Sequence, residues 1–186
     1  MRTFIAIDFN EEIRHELFLL QHRLGRDLPH LKWTKPEQLH LTMKFLGEIE
    51  ESQSAAISSL LSELAANQKS FDVRLSAIGC FGPRGAVNVV WVGLHEPTGV
   101  LNRLHEAIES AVEPLGFPRE CRPFAPHLTV ARNKNPCSSP EIRKVVDKEH
   151  DFAAGPQRVS SVTFYHSTPG PKGSTYRVIS IHPFSK

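Results

Sequence analysis

The sequence predicts an α+β fold in which antiparallel or mixed sheets form two lobes around a shared cleft. Segments with the patterns of strands and of helices alternate along the 186 residues. Several strand candidates are joined by short hairpin-like turns, and no glycine-rich phosphate loop occurs, so a doubly wound parallel sheet is disfavoured. The triplet His-Leu-Thr occurs twice, at residues 40–42 and 127–129, which indicates two related halves.

The first predicted elements are a strand, a helix, a strand and a helix. The first strand covers residues 3–9, and Asn10 caps a helix whose first turn carries two acids, where the helix dipole favours them. Gly25 is expected to end this helix. Residues 39–46 alternate at period two, which predicts a strand. The second helix is indicated by Ile57, Leu60, Leu61 and Leu64.

A strand pair and a third helix follow. Residues 71–81 and 86–94 flank the turn sequence Gly-Pro-Arg-Gly at 82–85 and predict paired strands. The third helix begins near Thr98 and ends at Gly116, with a proline shortly beyond it.

The last part of the chain predicts three strands and one short helix. Residues 127–132 form a strand, and Ser139 opens a helix because proline is tolerated at its first position. Late strands are expected at 158–167 and at 176–184, separated by a loop rich in turn-forming residues.

Composition excludes several functional classes. The net charge is +2 and charged residues make up 23%, which is typical of a soluble globular chain and not of a polycationic nucleic-acid binder, although a local basic cleft would still be compatible. The apolar run before Asp8 is too short for a signal peptide, and no apolar stretch could span a membrane. The three cysteines lack C-x-x-C spacing, so we expect reduced thiols in a cytoplasmic monomer.

The two triplets lie in otherwise apolar strands, and alternate residues of a strand point to the same side. One face would carry Leu39, Leu41, Met43 and Phe45 in the first copy, and Leu128 and Val130 in the second. The opposite face would carry His40, Thr42 and Lys44 in the first copy, and His127 and Thr129 in the second. Two identical triplets favour two lobes that each contribute one imidazole and one hydroxyl to the cleft.

Two facing histidines can act as a general acid and a general base, since the ordinary histidine pKa of about 6.5 lies near neutrality. The threonine hydroxyls are hydrogen-bond donors that could hold phosphate oxygens between the imidazoles. This layout suits cleavage of a phosphodiester without a metal. A metal site is disfavoured because no acidic residue shares the face and no H-E-x-x-H occurs. Two equivalent threonines also argue against a single threonine nucleophile.

Four segments resemble the 2H phosphoesterases, a family defined by two H-x-T-x motifs. They are FIAIDFNEEIR at 4–14, WTKPEQLHLTMKFLGE at 33–48, VVWVGL at 89–94 and FAPHLTVAR at 124–132. The chain is most similar to the bacterial RNA 2′,3′-cyclic phosphodiesterases, also called 2′-5′ RNA ligase-like proteins. The likeness runs from residue 3 to about 132, and the remainder matches only in pattern.

The resemblance implies a bilobal 2H phosphoesterase fold over residues 1–186, with two pseudo-symmetric antiparallel sheets, outer helices and a central cleft. It implies hydrolysis of RNA 2′,3′-cyclic phosphate ends to 2′-phosphomonoesters, with RNA ends as partners and without a metal or other cofactor. His40 would donate a proton to the leaving 3′ oxygen, His127 would activate water, and Thr42 and Thr129 would hold phosphate oxygens. Pseudo-symmetry makes the two histidine roles exchangeable. Relatives also join tRNA halves through 2′–5′ linkages.

Residues near the motifs supply further candidates. A regular strand would place Arg132 on the apolar face, whereas a bulge would turn it to the cleft, where the family pattern favours phosphate contact. Lys44 could add positive charge for the RNA backbone, or could be a solvated lysine. Trp33, Phe124 and Tyr165 could stack on bases, with core packing as the alternative. Phe9 could line the cleft. Trp91 is expected in the core.

Two rival functions stay open. One is a 2H esterase that acts on small cyclic nucleotides or on ADP-ribose 1″,2″-cyclic phosphate. The other is an RNA-end-binding module without catalysis, which the intact pair of histidines disfavours because binding alone does not require two proton-transfer groups.

Overall fold

The computed structural model describes residues 1–83, 86–134, 139–171 and 173–185, and its strands form two antiparallel sheets. The helices and strands in chain order are β1 (Arg2–Asp8), α1 (Glu11–Asp27), β2 (Lys32–Trp33), a 3-10 turn at Pro36–Gln38, β3 (His40–Glu48), α2 (Glu51–Ala66), β4 (Phe71–Phe81), β5 (Val89–His95), α3 (Val100–Val112), a 3-10 turn at Glu113–Leu115, β6 (His127–Arg132), α4 (Ser139–Asp147), β7 (Ala153–Val159), β8 (Ser161–Thr168) and β9 (Thr175–Pro183). The four-stranded sheet has the order β3-β1-β8-β9, and the five-stranded sheet has the order β2-β6-β5-β4-β7. The predicted α+β fold with two antiparallel sheets is confirmed.

Two local predictions are wrong. Gly25 does not end α1, which continues to Asp27, and a Cβ at this glycine would stand 3.5 Å from Nε1 of Trp33. Gly25 therefore lies inside the helix beside Trp33, at a distance that is ordinary van der Waals contact. The single strand predicted at 158–167 is two strands, because β7 ends at Val159 in the five-stranded sheet and β8 begins at Ser161 in the other. Of the predicted turn at 82–85, Arg84 and Gly85 lie outside the described residues.

The helices cover the outer faces of the sheets, and two of them pack on the sheet that does not contain the preceding strand. Helices α2 and α3 pack on the four-stranded sheet, whereas α1 and α4 pack on the five-stranded one. Helix α1 follows a strand of one sheet but covers the other, and α3 does the same in the opposite direction. The sheets approach each other at β3 and β6, the strands that carry the two triplets.

A partly buried polar network around His182 joins α2 to β9. Ser62 Oγ lies 2.9 Å from Nδ1 of His182, and Ser180 Oγ lies 2.8 Å from Nε2. A neutral imidazole offers one donor and one acceptor, which matches two hydroxyl partners. Burial lowers the pKa of His182 and so favours this neutral form in the folded protein.

We expect the free energy of unfolding to decrease as the pH falls below about 6.5, the pKa of an unperturbed histidine. The unfolded chain binds a proton at His182 more readily than the folded protein does. The contribution of this residue is therefore complete above that pH and is lost as the pH falls towards the lower folded pKa. In His182→Gln, the shift in urea midpoint between about pH 7.5 and about pH 5.5 should be smaller than in the parent. An unchanged shift would contradict the assignment.

Candidate active site

The two His-Leu-Thr triplets have the same local structure. In each strand the histidine and the threonine are half-buried, and the leucine between them is buried. The predicted alternation is therefore confirmed for both triplets. Each strand is anchored by its apolar face, and each presents one imidazole and one hydroxyl on the other face.

The two imidazoles are held in the same way. Nδ1 of His40 lies 2.7 Å from the carbonyl oxygen of Gln38, and Nδ1 of His127 lies 2.7 Å from the carbonyl oxygen of Ala125. Each partner stands two residues before its histidine. A carbonyl can only accept, so each Nδ1 carries the proton and donates it. Nε2 is consequently the atom of each ring that can exchange protons with a ligand.

Both strands contain a bulge directly after the triplet. The pairing register makes Met43 the extra residue in β3 and Val130 the extra residue in β6. A bulge interrupts the alternation, so the next residue stays on the buried side. Lys44 and Ala131 occupy that position, and both are buried.

The second residue after each bulge returns to the face of the histidine. These residues are Phe45, which is 55% exposed, and Arg132, which is also exposed. The bulge thereby turns Arg132 towards the cleft, the second of the two placements that the sequence allowed. Phe45 was hidden from sequence reasoning, because regular alternation assigns it to the apolar face.

Electrostatic effects connect Arg132 with the opposite sheet. Burial lowers the pKa of His40, the carbonyl of Gln38 and the carboxylate of Asp8 raise it, and the Arg132 cation lowers it. Burial raises the pKa of Tyr176, and Arg132 opposes that shift. Arg132 comes from the five-stranded sheet, whereas His40 and Tyr176 belong to the four-stranded one. The charge of Arg132 therefore acts across the gap between the two sheets, which approach each other at β3 and β6.

Lys44 is not in the cleft, so its predicted contact with the RNA backbone is wrong. Its Nζ lies 2.8 Å from Oε2 of Glu109 and 2.6 Å from the carbonyl oxygen of Pro118. The two charged side chains are only 3% and 2% exposed. The bulge at Met43 is the physical reason, because it moves Lys44 to the face that α3 covers.

The structure also places Phe9 and Trp33 away from the cleft face. Phe9 is 4% exposed and belongs to the hydrophobic core. Trp33 packs beside Gly25 of α1 and is paired in register with buried Ala131, so it lies on the helix-covered side of its sheet. Both residues are close to the motifs in sequence, but their side chains point to the opposite side of the sheets. The predicted cleft positions of Phe9 and Trp33 are therefore wrong.

Tyr165 lies beside His40 in the four-stranded sheet. Its ring stacks on Phe4 with centroids 5.1 Å apart, and Phe4 stacks on His40 at 4.8 Å. The Tyr165 hydroxyl donates to Oδ1 of Asp8 at 2.7 Å, and the Thr163 hydroxyl donates to Oδ2 at 2.7 Å. Burial, together with the Asp8 carboxylate, raises the pKa of Tyr165. Tyr165 therefore holds Asp8 by a direct hydrogen bond, and it packs against His40 through the ring of Phe4.

Aromatic rings that the sequence did not single out surround the histidines. Tyr176 meets His40 edge-on with centroids 5.3 Å apart, and Phe81 meets His127 edge-on at 4.9 Å. Phe81 also stacks on Trp91 at 5.1 Å, and Trp91 is the register partner of Thr129. Trp91 is half-buried on the triplet face rather than in the core. The positions of these rings beside the histidines follow from strand pairing, and no local pattern in the sequence indicates them.

Three further observations concern cofactors, membranes and cysteines. Within the described ranges, no three His, Cys, Asp or Glu side chains are grouped so that they could hold a metal ion. No helix in the described part of the chain is long and apolar enough to cross a bilayer. Cys80 and Cys121 are free thiols, and Cys137 lies outside the described residues.

Comparison with known proteins identifies relatives along almost the whole chain. Residues 11–170 match the family model of the 2′-5′ RNA ligase superfamily. The chain is 33% identical over 181 residues to an RNA 2′,3′-cyclic phosphodiesterase of Archaeoglobus fulgidus, with 97% of this chain and 99% of the relative covered. It is 31% identical to an RNA 2′,3′-cyclic phosphodiesterase of Thermotoga maritima, with 96% and 93% covered.

Solved structures share the fold. The protein TT0787 of Thermus thermophilus superposes with a TM-score of 0.83 at 29% identity, and 99% of this chain and 98% of that chain are covered. E. coli LigT complexed with 3′-AMP has a TM-score of 0.76 at 24% identity, with 100% and 98% covered, which supports the fold alone.

Proposed function

The chain belongs to the 2′-5′ RNA ligase superfamily of 2H phosphoesterases, and we propose that it hydrolyses 2′,3′-cyclic phosphate ends of RNA to 2′-phosphomonoesters. The observation that carries this proposal is the matched pair of histidines. His40 and His127 stand on strands of two facing sheets, and each donates Nδ1–H to a backbone carbonyl two residues earlier. Each ring is therefore pre-oriented to exchange a proton at Nε2. Curated relatives named RNA 2′,3′-cyclic phosphodiesterase support the choice of substrate.

In the proposed reaction, Nε2 of His127 takes a proton from a water molecule as that water attacks the cyclic phosphorus. The bond between phosphorus and the 3′ oxygen breaks, and Nε2–H of His40 gives its proton to that oxygen. The phosphate stays on the 2′ oxygen. His40 must be protonated beforehand, although burial favours its neutral form. The Asp8 carboxylate opposes the effect of burial, and the negative charge of a bound phosphate would act in the same direction.

Thr42, Thr129 and Arg132 are the proposed phosphate-binding groups. Both threonines share the face of their histidine, and neither hydroxyl has a hydrogen-bond partner in the described part of the chain. Each is thus free to donate to a phosphate oxygen. The Arg132 cation, which is close enough to affect the pKa of His40, can stabilise the charge that develops as the water attacks.

The exposed aromatic rings are the proposed platform for bases. Phe45, Phe81 and Tyr176 are large exposed side chains on the triplet-bearing faces of the two sheets. Bases of single-stranded RNA are commonly held by stacking on such rings, at about 1–3 kcal/mol per base. We place the protein in the cytoplasm, where the thiols of Cys80 and Cys121 would remain reduced.

The test is an assay with a short RNA that ends in a 2′,3′-cyclic phosphate. We expect the product to carry a 2′-phosphate and the rate to be the same in EDTA. EDTA sensitivity would require a metal mechanism instead. Turnover confined to a cyclic nucleotide or to ADP-ribose 1″,2″-cyclic phosphate would favour a small-molecule esterase, and binding without turnover would indicate an RNA-end-binding module. Ligation is tested with an RNA that ends in a 2′,3′-cyclic phosphate and a second strand that bears a 5′-hydroxyl, which would replace water in the attack on phosphorus and displace the 3′ oxygen.

The pH profile of kcat/KM should be bell-shaped. Activity falls at low pH when the base becomes protonated, and at high pH when the acid loses its proton. The limb of His40 should lie below about 6.5, because burial lowers its pKa in the free protein. Arg132→Gln removes a cation that lowers this pKa, so the same limb should move to higher pH. A profile with one limb, or a limb that does not move, would contradict the assignment.

A further inference from the structure

Lys32 stands beside Arg132 on the cleft face of the five-stranded sheet. The two residues are direct partners in the β2–β6 register, and directly paired residues of antiparallel strands project to the same face. Arg132 shares the face of His127 and Thr129 after the bulge in β6. Its charge is close enough to His40 and Tyr176 to have a lowering effect on the pKa of both. Strand β2 is at the edge of its sheet, so Lys32 lies one strand farther out than Arg132.

The pair carries uncompensated positive charge. Neither Lys32 nor Arg132 forms an ion pair with a carboxylate within the described residues, whereas Lys35, Lys44 and Lys148 each do. Like charges directly opposite each other on adjacent strands destabilise a sheet. Their juxtaposition on a cleft face is therefore best explained by an anionic ligand.

The Lys32 side chain reaches across to the connection between β8 and β9. Its Nζ lies so near Gly173 that a Cβ at this glycine would stand 2.9 Å away. The side-chain amide of Gln38 donates to the carbonyl of Ser174 in the same connection, and the Gln38 carbonyl orients His40. The Lys32 ammonium therefore lies at the margin of the cleft, outward from Arg132.

We infer that Lys32 forms a subsite for the phosphate that precedes the reacting nucleotide, so that the substrate is an RNA strand of at least two nucleotides. This inference rests on the proposed function. A cyclic mononucleotide has one phosphate, which the threonines and Arg132 would hold. A strand has a second phosphate, and Lys32 is the adjacent cation on the path out of the cleft.

The test pairs a change in the protein with a change in the substrate. The substrates are a dinucleotide with a terminal 2′,3′-cyclic phosphate, the same dinucleotide with an uncharged methylphosphonate linkage, and the cyclic mononucleotide with the same terminal base. For the parent protein, kcat/KM should be at least tenfold higher for the charged dinucleotide than for the uncharged one. Lys32→Gln should bring this ratio close to one, and Lys32→Arg should restore most of it. The slope of log kcat/KM against log salt concentration is negative for the charged dinucleotide, and its magnitude should be smaller by about 0.7 in Lys32→Gln.

Lys69→Gln, which removes an exposed lysine elsewhere on the chain, is the matched control and should leave the ratio as in the parent. The subsite is refuted if the parent does not distinguish the two linkages, or if Lys32→Gln distinguishes them as well as the parent does. If kcat/KM stays higher for the dinucleotide than for the mononucleotide after both Lys32→Gln and the methylphosphonate substitution, base stacking explains the preference and the Lys32 subsite does not. Failure of the proposed function gives a different result, namely no hydrolysis of any of the three substrates.

Discussion

Replacing His40 or His127 by alanine should lower kcat/KM for a 2′,3′-cyclic phosphate RNA by about 10²–10⁴-fold, the usual contribution of one positioned proton transfer. Each ring is held by a single hydrogen bond from Nδ1 to a backbone carbonyl, and both rings are only half-buried. We therefore expect both variants to fold. The double variant should be little slower than either single one, since the two groups act in one concerted process.

A substrate with a sulfur in place of the 3′ bridging oxygen separates the two roles. A thiol has a pKa of about 8.5 and leaves without full protonation, so it needs the general acid much less than an alcohol does. If His40 is the acid, His40→Ala should recover most of its activity on this substrate, and His127→Ala should not. The opposite pattern would exchange the roles, which the shared local geometry of the two rings allows.

His150→Ala is the control for histidine removal in general. This residue is 70% exposed, and its Nδ1 also lies near a backbone carbonyl, that of Asp147. Its replacement should leave kcat/KM within about twofold, because surface substitutions have small effects. Full activity in either His40→Ala or His127→Ala would remove the two-histidine mechanism.

The triplets could be predicted from the sequence because the information they carry is local. Leu41 and Leu128 alternate with polar neighbours, and this pattern alone fixes which way His40 and His127 point. The prediction held for Met43 and failed at the residues that follow it, because Met43 is the extra residue of the bulge. Lys44 and Phe45 exchanged faces there, because the extra residue in β3 is defined by its pairing with β1 and not by its own side chain.

The residues that sequence reasoning missed are brought to the site by long-range pairing. Tyr176 reaches His40 through the β8–β9 register, and Phe81 reaches His127 across β4, β5 and β6. Periodicity predicts which face a side chain occupies but not which strand lies beside it. For the same reason the passage from β7 to β8 at Ser160 was not predicted, since the two segments read as one continuous strand although they belong to different sheets.

Lys44→Met should destabilise the protein by about 3–5 kcal/mol, the usual cost of removing one partner of a buried ion pair. The methionine side chain fills similar space, but it leaves the Glu109 carboxylate without its cation and the Pro118 carbonyl without its donor. Oε2 of Glu109 also accepts the backbone N–H of Glu120, so the charge cannot move to solvent without releasing that contact. Urea unfolding at neutral pH measures the change, with the midpoint read at an unchanged slope.

The same experiment distinguishes the ion pair from simple packing. Lys148→Met removes the cation of an exposed pair with Asp27, and it should change the stability by no more than about 0.5 kcal/mol. Adding Glu109→Leu to Lys44→Met removes the buried charge itself, so the double variant should be more stable than Lys44→Met alone. Its recovery should be partial, because Pro118 and Glu120 still lose polar partners at about 1–3 kcal/mol each. If Lys44→Met lowers the free energy of unfolding no more than Lys148→Met does, the contacts of Lys44 with Glu109 and Pro118 do not stabilise the fold as proposed.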